Sequence, residues 1–211
     1  MSDRQRTPAP GWQPNPRHRL ALLLVDVDNA FFDPRGAFYF PGVEAVIGPL
    51  RELLTAAHAG GRLIVHARER HHAGLADFEG QKLPVHCVGD EFDALPFHGF
   101  EALPGEPVIP KRRYSAFFAT ELALLLREQG TERVIIAGVK TNVCIRATVQ
   151  DAFAHGFQPI VVRGTVDSNR PHLHEAALED IARYFGEVVP FETAIDWLTA
   201  PEDDVYGEGE L

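Results

Sequence analysis

The chain is poor in sulfur, in basic charge and in long apolar runs, and each shortage excludes something. Its 211 residues include 2 Cys and 1 Met. Two cysteines, Cys87 and Cys144, cannot form a disulfide framework. The longest uninterrupted apolar stretch, Leu20 to Val25, is six residues, whereas a bilayer-spanning helix needs about 20. A membrane-spanning chain is therefore not expected. Lys and Arg number 20 against 30 Asp and Glu, a formal charge of −10, so nucleic acid and anionic lipid are not expected as partners on electrostatic grounds. Residues 1–19 hold four Arg and four Pro but no apolar segment of the secretory type. Reduced cysteines and the lack of a leader predict a cytoplasmic protein. With 16 Pro and 18 Gly, the composition is that of an ordinary globular domain, neither collagenous nor disordered throughout.

What is present is an alternation of strand-like and helix-like segments. Residues 1–19 read as a flexible arm, 20–200 as a single domain, and 201–211 as an acidic tail with five acids and no base. Apolar runs at Leu20–Asp26, Arg62–Ala67, Val108–Pro110, Arg133–Gly138, Pro159–Arg163 and Glu187–Val189 read as strands. Helical spacing is predicted over Val43–His58 (interrupted by Gly48-Pro49), Thr120–Gln129, Asn142–His155, Leu173–Phe185 and Glu192–Leu198. Residues 68–106 have no sustained period; a stretch that long is a functional segment or conceals short elements. Such alternation implies a mostly parallel sheet covered on both faces by helices. Sites on such sheets lie beyond the carboxyl ends of the strands, at the topological switch point.

Three strand ends carry reactive groups. Asp26 closes the first strand, Lys111 follows the third, and Cys144 lies just past the fourth. Taken singly, Asp26 would equally serve to cap a loop, Lys111 to carry surface charge, and Cys87 to pack as a small core residue. Cys144 differs, because Gly138 to Cys144 runs from a strand through a short turn into a predicted helix. In a first helical turn, free backbone N–H groups and the helix dipole favour a thiolate and a developing oxyanion. Asp26 would then take the thiol proton and return it to a leaving amine, while Lys111 holds the thiolate by charge. A Cys-His-Asn arrangement is the less economical alternative, since none of the ten His sits at these strand ends.

The segments LALLLVDVDNAFFD, PKRRYSAFFAT and GVKTNVCIRATVQDAFAHG resemble the three motif blocks of the isochorismatase-like cysteine hydrolases, a likeness covering residues 20–198. It implies a three-layer α/β/α sandwich with a mostly parallel six-stranded sheet, assembled as a homodimer or homotetramer. By the same resemblance, Asp26, Lys111 and Cys144 form the catalytic triad. The backbone amides of Lys140 and Cys144 form the oxyanion hole, beside a cis peptide at Val139–Lys140. The implied reaction is hydrolysis of a C–N bond in a small carboxamide, ureido or carbamoyl compound through a thioester. Two alternatives stay open: a metal-containing nicotinamidase-type amidase, and a non-catalytic α/β binding protein with a redox-sensitive thiol.

Substrate contacts are expected from Phe31, Tyr114, Phe117, Phe118 and Asn142, with structural packing the competing explanation for the rings. Asp28 either perturbs Asp26 or is a satisfied strand-end acid. Arg112 and Arg113 would bind a substrate carboxylate or remain solvated. The side chain of Lys140 is expected to point to solvent. The segment HARERHHAGLADF resembles metal-independent biuret- and ureidoacrylate-type amidohydrolases, so no metal and no other cofactor is expected. Set against nicotinamidases, Glu69, His71, Asp77 and His86 fall near that branch's metal ligands.

Overall fold

The computed structural model describes residues 19–201. Apart from Arg19 and Pro201, the expected N-terminal arm and acidic tail lie outside the described residues. Six strands form one sheet in the order β3-β2-β1-β4-β5-β6, and every neighbouring pair is parallel. They are β1 (Leu20–Val25), β2 (Leu63–Glu69), β3 (Val108–Lys111), β4 (Arg133–Val139), β5 (Gln158–Asp167) and β6 (Glu187–Val189). The chain first builds outward from β1 to β3, then returns to start the other half at β4. That reversal puts the switch point between β1 and β4.

Helices cover both faces. They are α1 (Asn29–Phe32, a single turn), α2 (Ile47–Ala59), α3 (Leu122–Glu128), α4 (Arg146–Ala154), α5 (Pro171–Tyr184) and α6 (Phe191–Thr199). All six residues of β1 are buried, which is why its sequence is continuously apolar rather than alternating. Leu20, Leu22 and Leu24 face one core with Leu50 and Leu53 of α2 and Leu198 of α6. Ala21, Leu23 and Val25 face the other with Leu122 of α3, Val149 of α4 and Ile181 of α5. Each buried leucine contributes about 1.5–3 kcal/mol, so the central strand is anchored from both sides. Arg62 fastens α6 by donating to the carbonyls of Leu198 at 3.0 Å and Trp197 at 2.9 Å, carbonyls that a helix end leaves without intrahelical partners.

The elements depart from the expected boundaries in instructive ways. Pro49 does not interrupt a helix: Val43–Val46 forms a 3₁₀ turn, and Pro49 lies in the first turn of α2, where its missing N–H costs nothing. Strand β5 runs four residues past Arg163, through Gly164 at φ +85°, and its register against β4 shifts between Ile136 and Gly138. Residues 68–106 do conceal short elements, namely 3₁₀ turns at Phe78–Gln81 and Phe92–Ala94 and isolated bridges Asp28–Pro96 and His71–Val88. No helix among the described residues is long and apolar enough to cross a membrane.

Candidate active site

Asp26 leaves β1 at φ +55°, a conformation uncommon for a residue with a side chain. Its own N–H donates to the Ala67 carbonyl at 2.9 Å, and its Oδ1 accepts from the Glu69 N–H at 3.0 Å. Those two bonds to β2 fix the carboxylate under the strand ends. Lys111, the last residue of β3, reaches across with its Nζ 2.8 Å from Asp26 Oδ2 and 3.7 Å from Cys144 Sγ. The ammonium also donates to the Arg113 carbonyl at 3.2 Å. Asp26 and Lys111 are fully buried and Cys144 is 4% exposed. Three side chains from distant parts of the chain thus meet at the switch point.

Cys144 does not sit in the first turn of an ordinary α-helix. It lies in one wide π-type turn, Thr141–Ile145, ahead of α4; such turns recur at functional sites. The N–H groups of Val143 and Ile145, either side of it, both donate to the Lys140 carbonyl, at 3.0 and 3.2 Å. The Val139–Lys140 peptide is cis. Burial pushes the Cys144 thiol well above its ordinary value, opposed by Lys111 and reinforced by the Asp26 and Glu69 carboxylates. That direction favours the neutral thiol over the ionised form expected from a helix start. Burial raises Asp26 to about 6 against the pull of Lys111. Although burial alone would lower Lys111, the Asp26 charge holds it above the ordinary lysine range.

The sulfur faces a cavity of about 140 Å³, room for a small metabolite. Phe31, Phe38, Tyr114 and Val143 supply apolar wall, and Glu69, His86 and Lys140 supply its charged and polar lining. Of the expected substrate contacts, Phe31 and Tyr114 are there. Phe117 instead packs in the core against His155 and Phe157. Phe118 is exposed and lines a separate groove with Arg70 and Arg112. The Asn142 amide oxygen accepts a 2.6 Å bond from Ser168 and lies outside the cavity lining. Arg112 and Arg113 turn to Asp77, at 2.9 and 3.0 Å. Asp28 is buried between Arg68 and Arg70, at 3.6 and 3.4 Å, and desolvation lifts its carboxyl to about 8.

Sequence reasoning missed two features. One is Phe38, which comes from a loop without period. The other is Glu79: Glu69, His71, Glu79 and His86 are all buried, and one ligand atom of each lies within 4.8 Å of the others. Asp77, expected in that set, stands behind it, 3.0 Å from His71 Nδ1, while His86 Nδ1 is 2.7 Å from the Pro84 carbonyl. Both rings thereby present Nε2 inward, and those nitrogens have no hydrogen-bond partner, nor do Glu69 Oε1 and both Glu79 oxygens. Two imidazoles and two carboxylates with outer-shell partners fit a divalent transition metal, with Glu79 in the place where the sequence suggested Asp77. Glu69 belongs to both assemblies. Burial raises its carboxyl, yet the two imidazoles, 3.6 and 3.3 Å away, and the Lys111 charge outweigh this and hold it below the usual range.

Fold and site together define a three-layer α/β enzyme scaffold with a cysteine, a carboxylate and an ammonium at its switch point. Comparison with known proteins sharpens this. The chain belongs to the isochorismatase family, whose domain model matches residues 20–193. It is 39% identical over 185 residues to maleamate amidohydrolase of Pseudomonas putida, covering 84% of this chain and 86% of that one. With N-carbamoylsarcosine amidase of an Arthrobacter species it shares 31% over 191 residues, 87% of this chain and 72% of the relative. Among solved structures, the zinc complex of Pyrococcus horikoshii pyrazinamidase superimposes with a TM-score of 0.75 at 32% identity, covering 82% of this chain and 99% of that one.

Proposed function

We propose that the protein is an amidohydrolase that cleaves the C–N bond of a small carboxamide, ureido or carbamoyl substrate through a thioester on Cys144. The observation that carries this reading is Lys111 Nζ lying 2.8 Å from Asp26 and 3.7 Å from a sulfur that opens onto a small cavity. The naming of relatives as maleamate amidohydrolase and N-carbamoylsarcosine amidase supports the same reaction class. As sulfur attacks the carbonyl carbon, Asp26 takes the thiol proton, and Lys111 balances the charge that passes between them. The backbone amides of Lys140 and Cys144 receive the oxyanion. Asp26 then protonates the departing nitrogen as the C–N bond breaks. Water, deprotonated by the same carboxylate, attacks the thioester and releases the acid and the thiol.

A second reading, a metal-bearing member of the family, is favoured by the four inward-facing ligands Glu69, His71, Glu79 and His86. A divalent cation there would supply a positive centre at the cavity wall able to coordinate a polar substrate atom. The reactions at Cys144 above do not depend on it.

Ammonia release should be measured from nicotinamide, biuret, ureidoacrylate, maleamate and N-carbamoyl amino acids. At least one should turn over, and Cys144→Ala should reduce that turnover by at least about 10³-fold with little change in thermal unfolding. Turnover retained in this variant would overturn the mechanism.

A further inference from the structure

Lys140 contradicts the expectation that its side chain points to solvent. It lines the cavity beside Cys144, half-buried, with its ammonium 5.4 Å from the ring centroids of both Phe38 and Phe40. Aromatic faces hold a cation by their quadrupole but do not neutralise it. No acid among the described residues pairs with it. Glu69, the acid on the cavity wall, is engaged with His71 at 3.6 Å and His86 at 3.3 Å. The other nearby cations are committed elsewhere: Lys111 to Asp26, Arg112 and Arg113 to Asp77. A partly desolvated ammonium without a counterion is costly unless a ligand supplies the missing charge.

We propose that Lys140 is a specificity-determining anion anchor, receiving a carboxylate that the substrate carries away from its scissile C–N bond. The preferred substrates are then short amides or ureido compounds bearing one negative charge, rather than neutral amides. This rests on the amidohydrolase reading of the same cavity. Lys140 immediately precedes the Thr141–Ile145 turn that carries the sulfur, and both residues line the same cavity. The two phenyl rings hold the end of the flexible lysine side chain, reducing the entropy lost when an anion docks. Because such a contact exists in ground state and transition state alike, it acts mainly on KM.

The proposal can be tested without knowing the substrate. Iodoacetate and iodoacetamide alkylate a thiol identically, the sulfur bonding to the methylene carbon as iodide leaves, but only iodoacetate is anionic. Cys144 should favour iodoacetate by about 10-fold over a free thiol's preference. Lys140→Met should erase that preference while Lys140→Arg keeps it. With whichever amides turn over, Lys140→Met should lower the kcat/KM ratio of anionic to neutral substrates about 10- to 100-fold, chiefly through KM. An unchanged reagent preference in Lys140→Met, or an equal slowing of both reagents, would overturn the anchor. Failure of the two readings looks different. A protein that shows the iodoacetate preference yet hydrolyses no amide keeps the anchor and loses the amidohydrolase function. One that hydrolyses amides without any charge preference does the reverse.

Discussion

At the scale of single residues, the decisive question is where one proton resides among Asp26, Lys111 and Cys144. Burial lifts both the carboxyl and the thiol, but the carboxyl only to about 6. Near neutral pH the proton therefore sits on sulfur and Asp26 is ionised, ready to act as base. The dependence on pH follows in sign: the competent form is the ionised carboxylate, so kcat/KM should rise with pH along an acid limb centred near 6 and flatten above it. Asp26→Asn should remove that limb together with nearly all activity. A limb near 4, or none, measured in the wild-type protein would show that Asp26 is not the titrating base. The two cysteines should also part company. Burial holds the Cys87 thiol up with no cation among the described residues in hydrogen-bond reach, its sulfur meeting the Asp93 carbonyl at 3.8 Å. Iodoacetamide should therefore label Cys144 first, as peptide mapping would record.

At the scale of elements, the site depends on how closely β1 and β4 approach at the switch point. Gly138 has φ +119°, and a Cβ built there would stand 2.0 Å from the Val25 carbonyl oxygen. That carbonyl precedes Asp26, so any retreat of β1 displaces the base from Lys111. Gly138→Ala should cost at least about 2 kcal/mol in denaturant unfolding and lose activity beyond what its unfolded fraction explains. Full stability and activity in this variant would show that the strands separate freely. The same elements show what a sequence can and cannot reveal. Asp26, Lys111 and Cys144 were legible because a strand end is marked by the change from apolar to polar residues, and topology then gathers such ends. Phe117 and Phe118 misled because adjacent residues in an irregular segment point in different directions, one into the core and one into solvent. The direction of Lys140 leaves no periodic trace, since it depends on rings brought in by the loop before α2. Glu79 was hidden for a similar reason: it enters the histidine cluster from a 3₁₀ turn in the aperiodic segment, behind the more obvious Asp77.

At the scale of the whole molecule, that irregular segment is where stability and function are coupled. Glu69 and His71 lie at or just past the end of β2, whereas Glu79 and His86 come from the turn and loop that follow. These groups carry lone pairs facing one another without hydrogen bonds, a local cost that a bound cation would offset. A ligand that binds only the folded chain stabilises it by about 2.7 kcal/mol at a hundred times its dissociation constant. For a domain of this size, that shifts Tm by roughly 5–10 °C. Adding Zn²⁺ to chelator-treated protein should produce such a shift, and His86→Ala or Glu79→Gln should suppress it. Asp77→Asn should only weaken it, because Asp77 touches His71 from behind and also holds Arg112 and Arg113. If Zn²⁺ raises Tm equally in wild type and His86→Ala, the ion binds elsewhere and the cluster is only a set of hydrogen-bonding core residues. Activity assayed on the same chelated sample then separates structure from chemistry. Turnover that persists while Tm falls assigns the cluster to holding residues 69–86 against the sheet, and turnover lost with the metal assigns it to the substrate. Because Glu69 also donates its N–H to Asp26, emptying the cluster should displace the acid limb of the pH profile even where turnover survives.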